Sequence, residues 1–374
     1  MVFETQQPTA DAWQRRRSTG PARAGRRRMA TGLIAAALVA ITGVASAADD
    51  DAFAAALYEK AKAAGEDKVA YYTSMVPAQF RNVQAAWSAR YPEIAIEHIR
   101  ADLGQTLERV LAENRAGRHL ADVISNNEAS FAVMQKSDLL AKFESPTHER
   151  WREPLKSNFN GYQFPSRVLQ IGLAINTNSI KDGERPKTWK DLTAPRWKSR
   201  IGIPDPRVGG GAQLWFMTFW DRPGYGEEYL KAIAANDPLV KPGIVQMQQA
   251  AELGEVDIDV VAYDYVTLPA RDAGKPLDFV LPTDGTILMP TFDSVAANAP
   301  HPNAARLFVH FLMSKPAQEA MTKAYVSPVL RDVAPNPRAP DPKDSEVLAT
   351  GPTPEQVASL KEYVERMNRV LNLR

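Results

Sequence analysis

The chain has 374 residues, with 45 Lys and Arg against 44 Asp and Glu, and no cysteine. That balance leaves no basic surplus for nucleic acid or an anionic membrane. The missing thiol excludes disulfides, thiolate metal sites, a cysteine nucleophile and a lipid anchor on cysteine, while 44% hydrophobic and 24% charged residues place the chain among globular proteins.

The first residues read as an export signal. Arg15, Arg16, Arg17, Arg23, Arg26, Arg27 and Arg28 make a basic region, Leu33 to Val44 an apolar core, and Ala45-Ser46-Ala47 a small-residue cleavage site. The apolar run is too short to span a hydrocarbon core of roughly 30 Å. Residues 1–47 are therefore expected to be a cleaved signal peptide. Arg26-Arg27-Arg28 leaves the twin-arginine route open beside the favoured Sec route. Removing seven Arg and two acidic residues leaves 38 basic against 42 acidic residues, a mildly acidic mature chain. The expectation is a monomer in the periplasm. Its length suits two lobes better than one small core.

The mature chain opens with a helix over Asp51–Ala64, with Phe53, Leu57, Tyr58 and Ala61 on one face. Lys68–Thr73 reads as a strand, and a helix follows with Pro77 in its first turn. Ile94–Ile99 is a second strand, Leu103–Arg115 a helix, Ala121–Ser125 a third strand, and another helix starts after Asn127. This alternation predicts a parallel sheet with helices on both faces. In such sheets ligands sit beyond the carboxyl ends of the strands. The loops there carry Thr73-Ser74 and Ser125-Asn126-Asn127. Ser, Thr and Asn before helices also serve as caps, so both roles stay open.

Val168–Asn176 is a long apolar strand, and a crossing into a second lobe is expected near Arg167–Asn176. Strand Ile201–Ile203 then runs through Pro204-Asp205-Pro206 and Arg207 into Gly209, Gly210 and Gly211, with a helix beginning near Ala212. Glycines opening into a helix leave backbone N–H groups at the positive end of the helix dipole, a place for an anion. Arg207, with a possible contribution from Arg167, adds charge there. Helices over Glu227–Ala235 and Ile244–Leu253 follow, then a strand Asp257–Ala262 ending at Tyr263-Asp264-Tyr265, and a strand Asp278–Leu281. Gly285–Ala297 has no helical period and reads as the return crossing, before a helix over Asn303–Leu312. The domain expectation is lobe 1 over 48–170 plus about 294–334, lobe 2 over 171–293, and a Pro-rich tail with a docking helix over 335–374. In that helix Thr353, Pro354 and Gln356 make a capping box, and Val357, Leu360, Tyr363, Val364, Met367, Val370 and Leu371 share a face.

Catalytic signatures are missing: no Gly-x-Ser-x-Gly, no His-Glu-x-x-His, no phosphate-binding Walker loop. The five histidines, His98, His119, His148, His301 and His310, have no ligand spacing. An exported two-lobed α/β chain without such residues reads as a binder, not an enzyme, and no cofactor is expected. A periplasmic enzyme on the same scaffold is the alternative from another class.

Several passages carry a resemblance. Tyr72-Thr73-Ser74, Leu120–Leu140, Leu173–Leu192, Trp197–Arg207 (WKSRIGIPDPR) and Pro302–Gln318 occur in the order found in bacterial solute-binding proteins of ABC importers, on the branch nearest the ferric-iron-binding proteins. The resemblance implies the type II periplasmic-binding-protein fold: two α/β lobes, a ligand cleft between them and two crossing strands. It also implies a small-molecule ligand delivered to an inner-membrane permease. The iron ligands of that branch fall here on Val76 for a histidine, Asn127 for a glutamate, and Asp264 with Tyr265 for a tyrosine pair. Three of the four positions depart, and only Glu128, Tyr263, Asp264 and Tyr265 remain as an unusual oxygen set. The favoured ligand is a small organic anion such as a carboxylate, phosphonate or phosphate ester, with ferric iron or a polyamine as alternatives. The expected contacts are Thr73, Ser74, Asn126, Asn127, Arg207, Gly209, Gly210, Gly211, Tyr263, Asp264, Tyr265 and Asp293, with Phe292 available for stacking.

Overall fold

Two strands are covered on both faces, and the fold is built across them. The computed structural model describes residues 49–153, 155–156, 160–340 and 346–373; the expected signal peptide lies outside these. The longer is β4, Phe164–Asn176, with all thirteen residues buried. The other is β9, Thr286–Val295. A strand covered on both faces needs no polar alternation. Each side of β4 pairs antiparallel: with β9 from Phe164↔Asp293 to Ile171↔Ile287, with β7 (Ile258–Tyr263) from Ile171↔Tyr263, and with β8 (Leu277–Val280) from Leu173↔Val280.

On one side of this pair lies a parallel wing. Helix α1, residues 49–63, precedes β1 (Lys68–Thr73), which pairs with β2 (Ala95–Arg100) and β3 (Val123–Asn126). The connecting helices are α2 (Pro77–Arg90), α3 (Leu103–Arg115) and α4 (Glu128–Lys136). Strand β3 joins the centre through β9, Ser125 opposite Asp293. On the other side β7 leads to β5 (Ile201–Pro204) and β6 (Leu239–Lys241), both parallel pairings. The order along the continuous sheet is β2-β1-β3-β9-β4-β7-β5-β6. The second wing carries α5 (Gly210–Asp221), α6 (Gly226–Ala235), α7 (Ile244–Leu253) and α8 (Asp264–Asp272).

The chain returns through β9 to α9 (Pro302–Leu312) and α10 (Lys315–Thr322), which pack on the first wing. It then goes back to the second. A short strand β10, Val347–Ala349, pairs parallel with β9 at Thr286 and Ile287. Helices α11 (Pro354–Ala358) and α12 (Leu360–Leu371) follow. The capping box at Thr353 and Gln356 forms as expected, but the helix breaks at Ser359, so one helix becomes two. On α12 the buried side chains are Tyr363, Met367, Val370 and Leu371, and they pack toward α6. Among the described residues no helix is long and apolar enough to cross a membrane.

Candidate functional site

The carboxyl ends of β1, β3, β5 and β7 point at one region, and the crossing strands run beneath it. Here the backbone places the residues that the sequence singled out, but their side chains have different occupations.

Thr73 is fully buried, and its hydroxyl accepts the Met75 N–H at 3.1 Å. Ser74 beside it is half-buried. Asn126 is also fully buried. Its amide donates to Leu103 O at 2.9 Å and its carbonyl accepts from Asn127 N–H at 2.9 Å. Asn127 caps α4 by accepting from Ser130 N–H at 2.9 Å. The asparagine loop is thus held by its own bonds, the capping reading of those residues.

The glycine loop forms as a helix opening. Gly209 (φ 99°) and Gly210 (φ 69°) adopt backbone angles that disfavour a side chain, and α5 starts at Gly210. Gly211 is glycine for a different reason: a methyl there would fall 2.2 Å from Tyr263 Oη. Tyr263 is 3% exposed, tucked under this turn, with its hydroxyl donating to Met289 Sδ at 3.6 Å. Tyr263 thus packs beneath the helix start.

Arg207 has partners within its own wing and in the C-terminal helix. Its Nε lies 2.9 and 3.1 Å from the two Asp205 carboxylate oxygens and its Nη2 2.6 Å from Oδ2. Nη1 donates to Asn368 Oδ1 of α12 at 3.2 Å. The guanidinium thus engages its own wing and the C-terminal helix.

The Tyr263-Asp264-Tyr265 segment leaves the strand at Asp264, where α8 begins. Asp264 accepts from Tyr265 N–H at 2.7 Å and Gln170 N–H at 3.4 Å, and burial pushes its carboxyl well above the usual range. The Tyr263 and Tyr265 rings sit 5.6 Å apart. Glu128 stands at the first turn of α4, near Gly351. Among the described residues no group of three or more His, Asp or Glu is arranged to hold a metal.

What the structure does bring together lies on the crossing strands. Arg167 of β4 is 1% exposed. Its Nη2 donates to Ser125 Oγ at 3.2 Å, and its Nε has no hydrogen-bond partner. Asp293 of β9 is fully buried, with Oδ1 accepting from the Tyr71 hydroxyl at 2.8 Å and Oδ2 unpartnered. Burial pushes the Asp293 carboxyl up, against the opposing pull of the Arg167 charge and nearby hydroxyls. Burial also pushes the Tyr265 phenol to about 12, again opposed by Arg167. Arg167 is thus felt by residues of both wings. In the sequence its signal is a single cation directly before an uncharged apolar run.

A cavity of about 20 Å³ opens where the starts of α4 and α5 meet, lined among others by Asn127, Glu128, Gly210, Gln213, Phe292 and Gly351. That is room for a water and not for an organic solute.

The chain was compared with known proteins. The profile of a family described as bacterial extracellular solute-binding protein matches residues 118–351. An uncharacterized protein of Haemophilus influenzae is 31% identical over 283 residues, 72% of this chain and 80% of that protein. Among solved structures, the periplasmic binding protein AfuA of Actinobacillus pleuropneumoniae, with fructose-6-phosphate bound, superposes with a TM-score of 0.70 at 22% identity, covering 82% of this chain and 99% of that one. Iron-bound HitA of Pseudomonas aeruginosa superposes with a TM-score of 0.66 at 21% identity, covering 81% and 99%. These structural likenesses establish the two-lobed α/β fold of type II periplasmic binding proteins.

Proposed function

Since the chain belongs to the bacterial extracellular solute-binding proteins, the capture subunits of ABC importers, we propose that its cleft takes a small organic anion, such as a carboxylate, phosphonate or phosphate ester, and delivers it to an inner-membrane permease. In this reading the two wings are the lobes, with boundaries near 170–171 and 293–294. Residues 1–47 are the signal that sends a monomer, without lipid anchor, to the periplasm, by Sec.

One observation carries the anion: Arg167 is a buried guanidinium whose one hydrogen bond among the described residues goes to a neutral hydroxyl. A charge taken out of water needs compensation. Asp293 compensates incompletely, because burial favours its protonated form and it stands outside ion-pair contact. A ligand carboxylate or phosphoryl group beside Nε would complete the fork. Ser125 and Thr73 stand at the same strand ends, and the first N–H groups of α5 face from the other lobe. In this reading Arg167 is the cation that meets the ligand's anionic group. The solved relatives carry an iron ion in one case and a sugar phosphate in another, so family membership leaves the ligand to these residues.

The test is thermal denaturation of the purified chain against fructose 6-phosphate, citrate, spermidine and ferric nitrilotriacetate. A rise in Tm with an organic anion is expected. Arg167→Ala should then weaken binding of the responding anion by roughly 1.5–3 kcal/mol, the range for a charge-assisted hydrogen bond. A response to spermidine or to ferric iron alone would replace the anion reading with the polyamine or iron reading. Turnover of the responding compound would move the protein to the enzyme class.

A further inference from the structure

We propose that the segment from Glu346 to Leu371 is a clasp: it is fastened to the second lobe at both ends, and its central turn, Thr350-Gly351-Pro352, forms a wall of the cleft against the first lobe. This rests on the binding reading only in taking the lobes to separate for a ligand to enter.

The first fastening is β10. Its chain meets β9 where Thr286 N–H donates to Glu346 O at 2.8 Å. The Glu346 carboxylate pairs with Arg222 at 2.7 Å. Leu348 then packs onto Gly285, where a methyl would fall 2.2 Å from Leu348 Cδ2. The second fastening is Asp221, at the end of α5. Its carboxylate accepts from the Gln356 amide at 2.7 Å and from the Tyr363 hydroxyl. Arg366 stacks on Trp220, 5.0 Å from the ring centre, and Asn368 holds Arg207.

Between these anchors the chain passes from α5 of the second lobe toward the first. Thr350, Gly351 and Pro352 line the 20 Å³ cavity opposite Asn127, Glu128 and Ala129, the start of α4 in the first lobe. Gly351 has a φ of 110° and comes so close that a side-chain carbon there would be 3.8 Å from Glu128 Oε2. The cavity holds a water at most. A solute entering on this side therefore requires the turn and α4 to part. Because the turn moves with the second lobe, its contacts to the first lobe exist only when the lobes are together. They bias the empty protein toward the closed arrangement, and a device of this kind shifts a two-state population by its differential contact energy.

The chain has no cysteine, so spin labels can be placed cleanly. Lys136→Cys on α4 and Lys231→Cys on α6 put labels at exposed positions of the two lobes. Double electron–electron resonance on this full chain without ligand should give one dominant distance. Adding Asp221→Ala and Leu348→Ala unfastens both ends, and trypsin cleavage after Lys361 or Arg366 reports the undocking. The expected result is a longer-distance population that rises about threefold or more. An undocked tail with an unchanged distance distribution overturns the proposal. Should the double variant lose its circular dichroism, Asp221→Asn alone carries the same comparison. The experiment contains no ligand, so its outcome is independent of whether the cleft prefers an anion.

Discussion

Two buried groups, Asp259 and His310, make stability depend on pH in opposite senses between about pH 4 and pH 7. Asp259 in β7 is 1% exposed, and burial pushes its carboxyl up to about 7, against one backbone N–H from Val261 at 3.0 Å. Its folded pKa stands above the unfolded value of about 3.9. Its contribution to stability is therefore complete below pH ~4 and lost as pH rises through 7. Asp259→Asn should flatten this slope and stabilise the protein at pH 8, by an amount on the order of 2–4 kcal/mol. His310 in α9 is pushed down to about 4 by burial. Its Nε2 lies 3.2 Å from Asp50 O and its Nδ1 2.9 Å from Ser145 Oγ. The carbonyl can only accept, so Nε2 carries the proton and Nδ1 accepts from the serine. A depressed histidine costs stability as pH falls from ~6.5 toward 4, because the unfolded chain takes up the proton first. His310→Gln should remove that loss, and urea titrations at pH 8, 6 and 4.5 separate the two effects. At the same scale the cleft was only partly legible. Arg207 drew attention because three glycines follow it, yet its partner Asn368 lies 161 residues away and no local pattern announces it. Arg167 stands one residue before the apolar stretch, and only the register against β9 brings it to Ser125 and the Asp293 cluster.

The long elements followed their patterns closely, and the short ones did not. Lys68–Thr73 and Leu103–Arg115 fold over the residues the sequence indicated, because each has a full period of apolar positions and a breaker at its end. Strand β4 begins at Phe164, four residues earlier than the uniformly apolar stretch suggested, since Ser166 and Arg167 are buried by pairing with β9 and not by apolarity. The three-residue strands β6 and β10 and the helix α10 were not foreseen. Three residues carry no periodicity, and such strands exist through their partners. The docking of α12 follows from its apolar face, but its polar fastening to Asp221 and Arg207 does not. This gives Arg207 a role that can be measured. Arg207→Ala should cost about 0.5–1.5 kcal/mol of stability and hasten tryptic cleavage in α12, while affinity for the responding anion stays within about twofold. A large loss of affinity with the tail still docked would return Arg207 to the ligand.

At the scale of the whole molecule, the order of parallel units, a long buried strand, more parallel units and a return strand was visible in the alternation of patterns. The curl of one sheet through both wings was not, because pairing between residues more than a hundred positions apart leaves no local mark. The type II fold accounts for it: β4 and β9 belong to both halves at once. That sharing has a thermodynamic consequence. Were the lobes joined by linkers, each would keep its own core and melt on its own. Here neither half retains an intact sheet once β4 is withdrawn, since β4 pairs with β9 on one flank and with β7 and β8 on the other. Scanning calorimetry should show a single heat-absorption peak, with a van't Hoff enthalpy matching the calorimetric one. Two resolved peaks would mean that the strands joining the lobes bend without binding their fates together.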